Sequence, residues 1–201
     1  MENIYCRDIQ TDFEYDLTVL NRIKTTVVNL EQKNHILLTA NNVDPQLVSW
    51  LNQFDAYAHY MEIFHTPANF ADKGCHIDAG AQNHSSVKLN WCCSAANSKM
   101  KWWESNPGVE LGSGLSRAGT GSSYYHTPII NCRQLQEKSI STPTMVNSGV
   151  LHSIENYTNE ARWCISVSIS DNCTCLPINW NDAVVRFKDV AMLTDKTLTV
   201  W

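Results

Sequence analysis

A chain of 201 residues with 43% hydrophobic side chains can bury one sizeable core and needs no second domain, so a single domain over 1–201 is expected. Its net charge of −5 and pI near 5.7 argue against a non-specific polyanion binder, which would carry a basic face or stripe. No run of about 18 or more apolar residues is present, so no helical membrane span is expected.

In chain order, Phe13, Leu17 and Leu20 follow a helical spacing, and the β-branched Thr25 to Val28 comes next. Residues 12–30 therefore read as a short helix or irregular stretch running into a strand. His35 to Thr39 reads as a strand. Asp44 before Pro45 is an N-cap followed by a first-turn proline, and Leu47, Leu51 and Phe54 at i, i+4 and i+7 give that helix one apolar face to lay on a sheet. Tyr60 to His65 is a strand, and Thr66 to Gly74 a loop that delivers Cys75-His76-Ile77-Asp78. In the strand Ser86 to Trp91, Lys88 and Asn90 share one face while Val87, Leu89 and Trp91 share the other. The apolar face must be buried. Lys88 and Asn90 then face solvent or a polar interior, and the neighbouring polar motif favours the interior.

Lys99 to Glu104 is a further strand. Residues 105–123, which hold five of the eight glycines, read as a long loop: a mobile insertion or a cover for a substrate. Tyr124 to Ile130 and Gln134 to Ile140 carry the chain back across the sheet, Asn147-Ser148-Gly149 is a turn, and Asn156 to Glu160 is a hairpin-like connection into Arg162. Asn181 or Asp182 would cap a short helix, and Thr197 to Trp201 would add an edge strand. There is no internal repeat.

Eight cysteines would suit a disulfide framework in a secreted protein, but Met1 to Asp16 offers neither a basic n-region nor an apolar h-region. The expectation is a cytoplasmic, reduced chain in which most cysteines are small buried hydrophobes. No Cys-x-x-Cys occurs among them, which argues against a structural zinc site.

The chemistry-bearing residues converge on one constellation. Residues i and i+2 of a strand share a face, so His76 and Asp78 can present an imidazole and a carboxylate to one point, and His152 can complete the set. The triplet alone is a weak signal; a surface pair joined by a hydrogen bond accounts for it equally. Two histidines and a carboxylate on one side of a metal, with the opposite side open, are the ligand set of non-haem Fe(II) oxygenases. Arg162 opens a strand whose alternate residues Cys164, Ser166 and Ser168 are small or polar, while Trp163, Ile165, Val167 and Ile169 are apolar. Its guanidinium therefore faces the interior and requires an anion: an internal Glu155 or Glu160, or a ligand carboxylate matched to its planar fork. Ser166, Lys88 and Asn90 could add contacts to such a ligand. His84 and His126 compete as metal ligands but sit in turn-rich or Pro-flanked sequence that places them in solvent or toward substrate. Trp102, Trp103, Tyr124 and Tyr125 line a pocket or, more commonly for aromatics, pack in the core.

His-x-Asp, a distant His and an Arg ten residues later at the head of a β-branched strand resemble the Fe(II)/2-oxoglutarate-dependent dioxygenases. The similarity runs from about Tyr60 to Ile169, and the stretch from His152-Ser-Ile-Glu-Asn156 to Arg162 is especially similar to the aspartyl/asparaginyl hydroxylase branch, with the prolyl hydroxylases also in range. Where the aspartyl branch has an Arg-x-His after its first metal motif, this chain has Lys88-Leu89-Asn90. The resemblance implies a mainly β, double-stranded β-helix (jelly-roll, cupin-like) with a few flanking helices. It further implies Fe(II) held by His76, Asp78 and His152, and 2-oxoglutarate held through its distal carboxylate by Arg162. The implied reaction couples decarboxylation of 2-oxoglutarate, with O₂, to oxidation of a C–H bond in a second substrate, for which a protein side chain or small molecule fits the acidic chain better than nucleic acid. Two rivals use the same residues differently: a cupin-like metalloprotein without 2-oxoglutarate, and a non-catalytic jelly-roll binding module.

Overall fold

The computed structural model describes residues 4–15, 18, 20, 31–38, 43–78, 87–115, 123–141 and 143–192. Along the chain run β1 (Cys6–Ile9), β2 (Asn34–Leu38), α1 (Pro45–Asn52), β3 (Ala56–Thr66), β4 (Phe70–Ala71), β5 (Gly74–Ile77), β6 (Val87–Cys92) and β7 (Lys99–Ser105). They are followed by β8 (Gly112–Leu115), β9 (Ser123–Pro128), β10 (Cys132–Ser139), β11 (Thr144–Asn147), β12 (His152–Asn156), β13 (Arg162–Asp171), α2 (Trp180–Arg186) and β14 (Ala191–Met192).

Two antiparallel sheets result. The first has the order β14-β1-β11-β6-β13-β3-β2; the second has the order β10-β7-β12-β5-β9-β8, with β4 beside β12. From β3 onward the chain passes repeatedly between the sheets: β3, β6, β11 and β13 fall in the first, and β4–β5, β7–β10 and β12 in the second. That winding is the double-stranded β-helix, or jelly roll, flanked by the short helices α1 and α2.

Alternation along the strands decides what lies on each face. On β13, Trp163, Ile165, Val167 and Ile169 join Met61 and Ile63 of β3 and Leu89 and Trp91 of β6 in the largest apolar cluster. The helices cover that face. α1 contributes Leu47, Trp50 and Leu51, and α2 contributes Trp180 and Ala183, with Phe187 just beyond it. Asp44 caps α1, its carboxylate accepting from Gln46 N–H at 2.8 Å. A smaller cluster of Met100, Trp102, Ile140 and Val146 brings together residues of both sheets, and Met100 and Val146 also line a cavity with many polar side chains.

Three local expectations are corrected. The cap of α2 is Asn179, whose side chain accepts from Asp182 N–H at 3.0 Å, so Asn181 and Asp182 lie inside the helix. The Asn156 to Glu160 connection is not a hairpin, because β12 and β13 belong to different sheets. Its turn chemistry is ordinary, but the buried Asn156 amide donates to Pro67 and Glu160 carbonyls at 2.8 Å each and so clips the crossing to the end of β3. Finally, residues 105–123 are not loop throughout: Gly112–Leu115 is strand β8, paired with β9. Its glycines allow close packing: a Cβ on Gly112 would sit 3.0 Å from the His126 ring and one on Gly114 2.8 Å from the Tyr124 ring. Most of the stretch expected as helix and strand over 12–30, His84, and the tail Thr197 to Trp201 lie outside the described residues.

Candidate metal centre

His76 is the penultimate residue of β5, Asp78 lies just past that strand, and His152 begins β12. The register of β5 and β12 sets His152 directly opposite His76, so both imidazoles leave one face, with ring centroids 4.4 Å apart. Asp78 N–H donates to the Ser148 carbonyl at 3.0 Å, which pins the carboxylate in front of the pair. His76 Nε2 lies 3.4 Å from Asp78 Oδ1 and His152 Nε2 lies 3.7 Å from Asp78 Oδ2. One ligand atom from each of the three falls within 4.8 Å of the others, a spacing that admits one divalent ion.

The protonation states suit that use. His152 Nδ1 is 2.9 Å from the Val150 carbonyl; as the donor it fixes the tautomer that leaves the Nε2 lone pair aimed at Asp78. Burial, helped by His76, brings His152 down to about 4, so the ring is neutral at physiological pH. Burial pushes the Asp78 carboxyl up, but Lys88 and the two imidazoles outweigh it and hold the group well below the usual carboxylate range. A neutral imidazole and an ionised carboxylate are what a divalent first-row metal binds.

The triad lines a cavity of about 540 Å³ between the sheets, within the range of small-molecule sites. Lys88 and Asn90 on β6 face into it, as the polar-interior reading requires. Lys88 is buried and bridges two carboxylates, with Nζ 2.9 Å from Asp78 Oδ2 and 2.9 Å from Glu62 Oε2. Glu62 is held in turn by His35, whose Nε2 lies 2.5 Å from Oε1. Glu62 and His35 were not singled out in the sequence. The signal was there for Glu62: it is a lone charge on the Tyr60/Phe64 side of a strand whose other side, Met61 and Ile63, is apolar.

Arg162 stands on the same cavity wall, 3% exposed, with Cys164 and Ser166 after it on β13. Neither expected internal partner is used. Glu155 pairs with Lys101 at 2.7 Å, Glu160 is exposed, and no carboxylate among the described residues forms an ion pair with Arg162. Its Nη2 instead donates to Cys92 Sγ at 3.0 Å. Burial opposes the guanidinium charge, and the adjacent Cys92 and Cys164 sulfurs support it. The buried Asn90 Oδ1 also lacks a hydrogen-bond partner. A buried cation balanced only by sulfur, beside an unsatisfied amide in an open cavity, fits an anionic oxygen-rich ligand.

On the second sheet, registers align His152, His76, His126 and Gly112 in one rank across β12, β5, β9 and β8. His126 is exposed and lines the cavity with Tyr124, but its nitrogens are not in the ligand cluster. Trp102 and Trp103 are buried, donating to the Asn147 carbonyl at 3.1 Å and to Ser153 Oγ at 2.9 Å. Cys6, Cys75 and Cys164 are fully buried, Cys92, Cys93 and Cys132 half-buried, and Cys173 and Cys175 exposed, so burial as small hydrophobes describes only part of the set. Among the described residues no helix is long and apolar enough to cross a membrane.

No protein-family model and no curated protein matches the sequence. Among solved structures, the chain is similar to HygX from Streptomyces hygroscopicus, determined with nickel and 2-oxoglutarate bound: TM-score 0.43, 9% identity, covering 78% of this chain and 76% of that one. It is also similar to ThoJ, a non-heme monooxygenase in its apo form: TM-score 0.34, 14% identity, covering 67% of this chain and 56% of that one. Likenesses of this strength carry no functional inference. The fold rests on its own strand winding, a double-stranded β-helix with a cavity between its sheets whose lining includes His76, Asp78, His152 and the buried Arg162.

Proposed function

We propose that the protein is an Fe(II)- and 2-oxoglutarate-dependent oxygenase that hydroxylates a C–H bond of a second substrate. The observation that carries this reading is the joint occupancy of one cavity by the His76/Asp78/His152 cluster and by Arg162, a buried cation with no carboxylate partner among the described residues. His76, Asp78 and His152 would hold the metal. Arg162 would hold the distal carboxylate of 2-oxoglutarate, with Ser166, Lys88 and Asn90 as neighbouring contacts. Bound there, Fe(II) with 2-oxoglutarate and O₂ supplies the oxidative decarboxylation to succinate and CO₂ that drives C–H oxidation.

The chain's own residues do the rest. Val150 orients the His152 ring through its carbonyl, and Lys88 occupies the Oδ2 side of Asp78, keeping the carboxylate ionised and turned. Arg162, as a fixed fork at the closed side, sets which end of a keto-diacid points inward. The second substrate approaches from the side bordered by Tyr124 and His126. β8, within the glycine-rich segment, packs against those two rings and so borders that approach.

Anaerobic addition of Fe(II) and 2-oxoglutarate should produce a visible metal-to-ligand charge-transfer band that is absent in His152→Ala. A band that survives His152→Ala but disappears in His126→Ala would replace the proposed triad with another set.

A further inference from the structure

Cys92 and Cys164 have no part in the proposed chemistry, yet they flank the guanidinium on which it depends. They are directly opposed in the antiparallel register of β6 and β13, so both side chains leave the same face. Opposed Cα atoms in such a ladder lie about 4.5–5.5 Å apart, inside the roughly 4.4–6.8 Å over which a disulfide closes. Arg162 Nη2 donates to Cys92 Sγ at 3.0 Å, and the Cys164 thiol donates to the Ile165 carbonyl at 3.5 Å. Cys164 lines the main cavity, and Cys92 is among the residues that line a second cavity of about 240 Å³.

We propose that Cys92 and Cys164 are a peroxide-oxidisable thiol pair whose disulfide frees Arg162 from its sulfur partners. The neighbouring Cys92 thiol, opposed by burial and reinforced by the Arg162 charge, brings the Cys164 thiol down to about 7; the Cys164 neighbour and burial push Cys92 up. Cys164 is therefore the attacking sulfur. Its thiolate takes one oxygen of hydrogen peroxide: an S–O bond forms, the O–O bond breaks, and the departing hydroxide collects the proton Cys164 had released to become water. The Cys92 sulfur then attacks the sulfenic acid: the S–S bond forms, the S–O bond breaks, and the oxygen leaves as a second water with the Cys92 thiol proton. Two thiols lose two electrons and one peroxide is reduced to two waters. The chain's other close pair, Cys75 and Cys132 with sulfurs 3.4 Å apart, lacks this activation, since burial and the Cys132 neighbour push Cys75 up to about 12.

Oxidation ties up in one bond the two sulfurs that support the Arg162 charge, so a dicarboxylate should bind more tightly to the oxidised chain. This consequence rests on the co-substrate reading of Arg162; formation of the disulfide does not. The test treats the full chain, freed of redox-active metal, with hydrogen peroxide and maps the alkylated digest by mass spectrometry. A Cys92–Cys164 link is expected that dithiothreitol reverses, that survives Cys93→Ser and that is lost in Cys164→Ser. Oxidation that yields only Cys75–Cys132, or only modified Cys173 and Cys175, overturns the proposal. Calorimetry of 2-oxoglutarate with the nickel(II)-loaded chain should then show about tenfold tighter binding to the oxidised form, the scale of one charge-assisted contact. Equal affinity in the two forms overturns the release of Arg162. If the reduced, loaded chain binds no 2-oxoglutarate at all, the functional reading fails while the mapped disulfide stands.

Discussion

The two sheets share one cavity but are built differently. The first is sandwiched: its outer face carries the main apolar cluster under α1 and α2, and its inner face carries buried charge at Glu62, Lys88 and Arg162. The second has only a small outer cluster around Cys75, Trp103 and Leu151. Elsewhere its surface is laced with ion pairs such as Lys101–Glu155 and Arg133–Glu104, and its inner face carries the metal histidines and the open mouth. A packed apolar backing lets a sheet carry buried charge on its opposite face without yielding to water. The exposed sheet supplies what needs access: two ligands and the approach for substrate.

The largest effect should come from breaking the charge bridge of the first sheet. Lys88→Met leaves Glu62 buried without its cation and should destabilise the fold by about 3–5 kcal/mol in urea unfolding. Adding Glu62→Gln should recover much of that loss; no recovery would assign it to the other carboxylate, Asp78, or to contact of Lys88 with the Tyr60 and Phe64 rings. Next in size is Arg162→Ala. It should weaken 2-oxoglutarate by roughly 10- to 150-fold, following about 1.5–3 kcal/mol for a charge-assisted contact, and leave metal affinity nearly unchanged. A cooperative unfolding of that variant, with no selective effect on 2-oxoglutarate, would assign the guanidinium to structure.

On the second sheet the consequences shrink. Gly114→Ala meets only the far end of the Tyr124 side chain, which can move, so the cost should stay near or below about 1 kcal/mol and vanish in a Tyr124→Ala background. A cost that persists there would come from the β8 backbone. The smallest effect concerns Asp171, which ends β13 and accepts from Cys173, Thr174 and Arg186. The Thr174 backbone N–H, then Arg186, lower its carboxyl below the usual range. The folded value lies below the unfolded value of about 3.9, so its contribution is present above that pH and is lost as pH falls through the folded value. Thermal unfolding of Asp171→Asn should therefore fall below wild type at neutral pH, and the gap should narrow once pH drops under about 4. A gap that is constant with pH would assign the effect to turn geometry.

Much of this arrangement is written in local pattern. The alternation after Arg162 put its guanidinium and Ser166 on the inner face, the Val87/Leu89/Trp91 face sent Lys88 and Asn90 inward, and Asp44-Pro45 marked the start of α1; each depends only on period and capping within a few residues. Register and sheet membership did not follow from those rules. Nothing near Asn156 to Glu160 distinguishes a hairpin from a crossing between sheets, because the choice lies in which distant strands β13 pairs with. Glu62 and His35 became part of the site only when β2 and β3 were set beside β13, and Cys92 met Cys164 and Arg162 only through the β6–β13 register. The sequence by itself determined which residues face inward, because side-chain direction is a property of the strand's two-residue repeat. Only the tertiary structure decided which of those inward residues touch, because contact depends on pairings made across the fold.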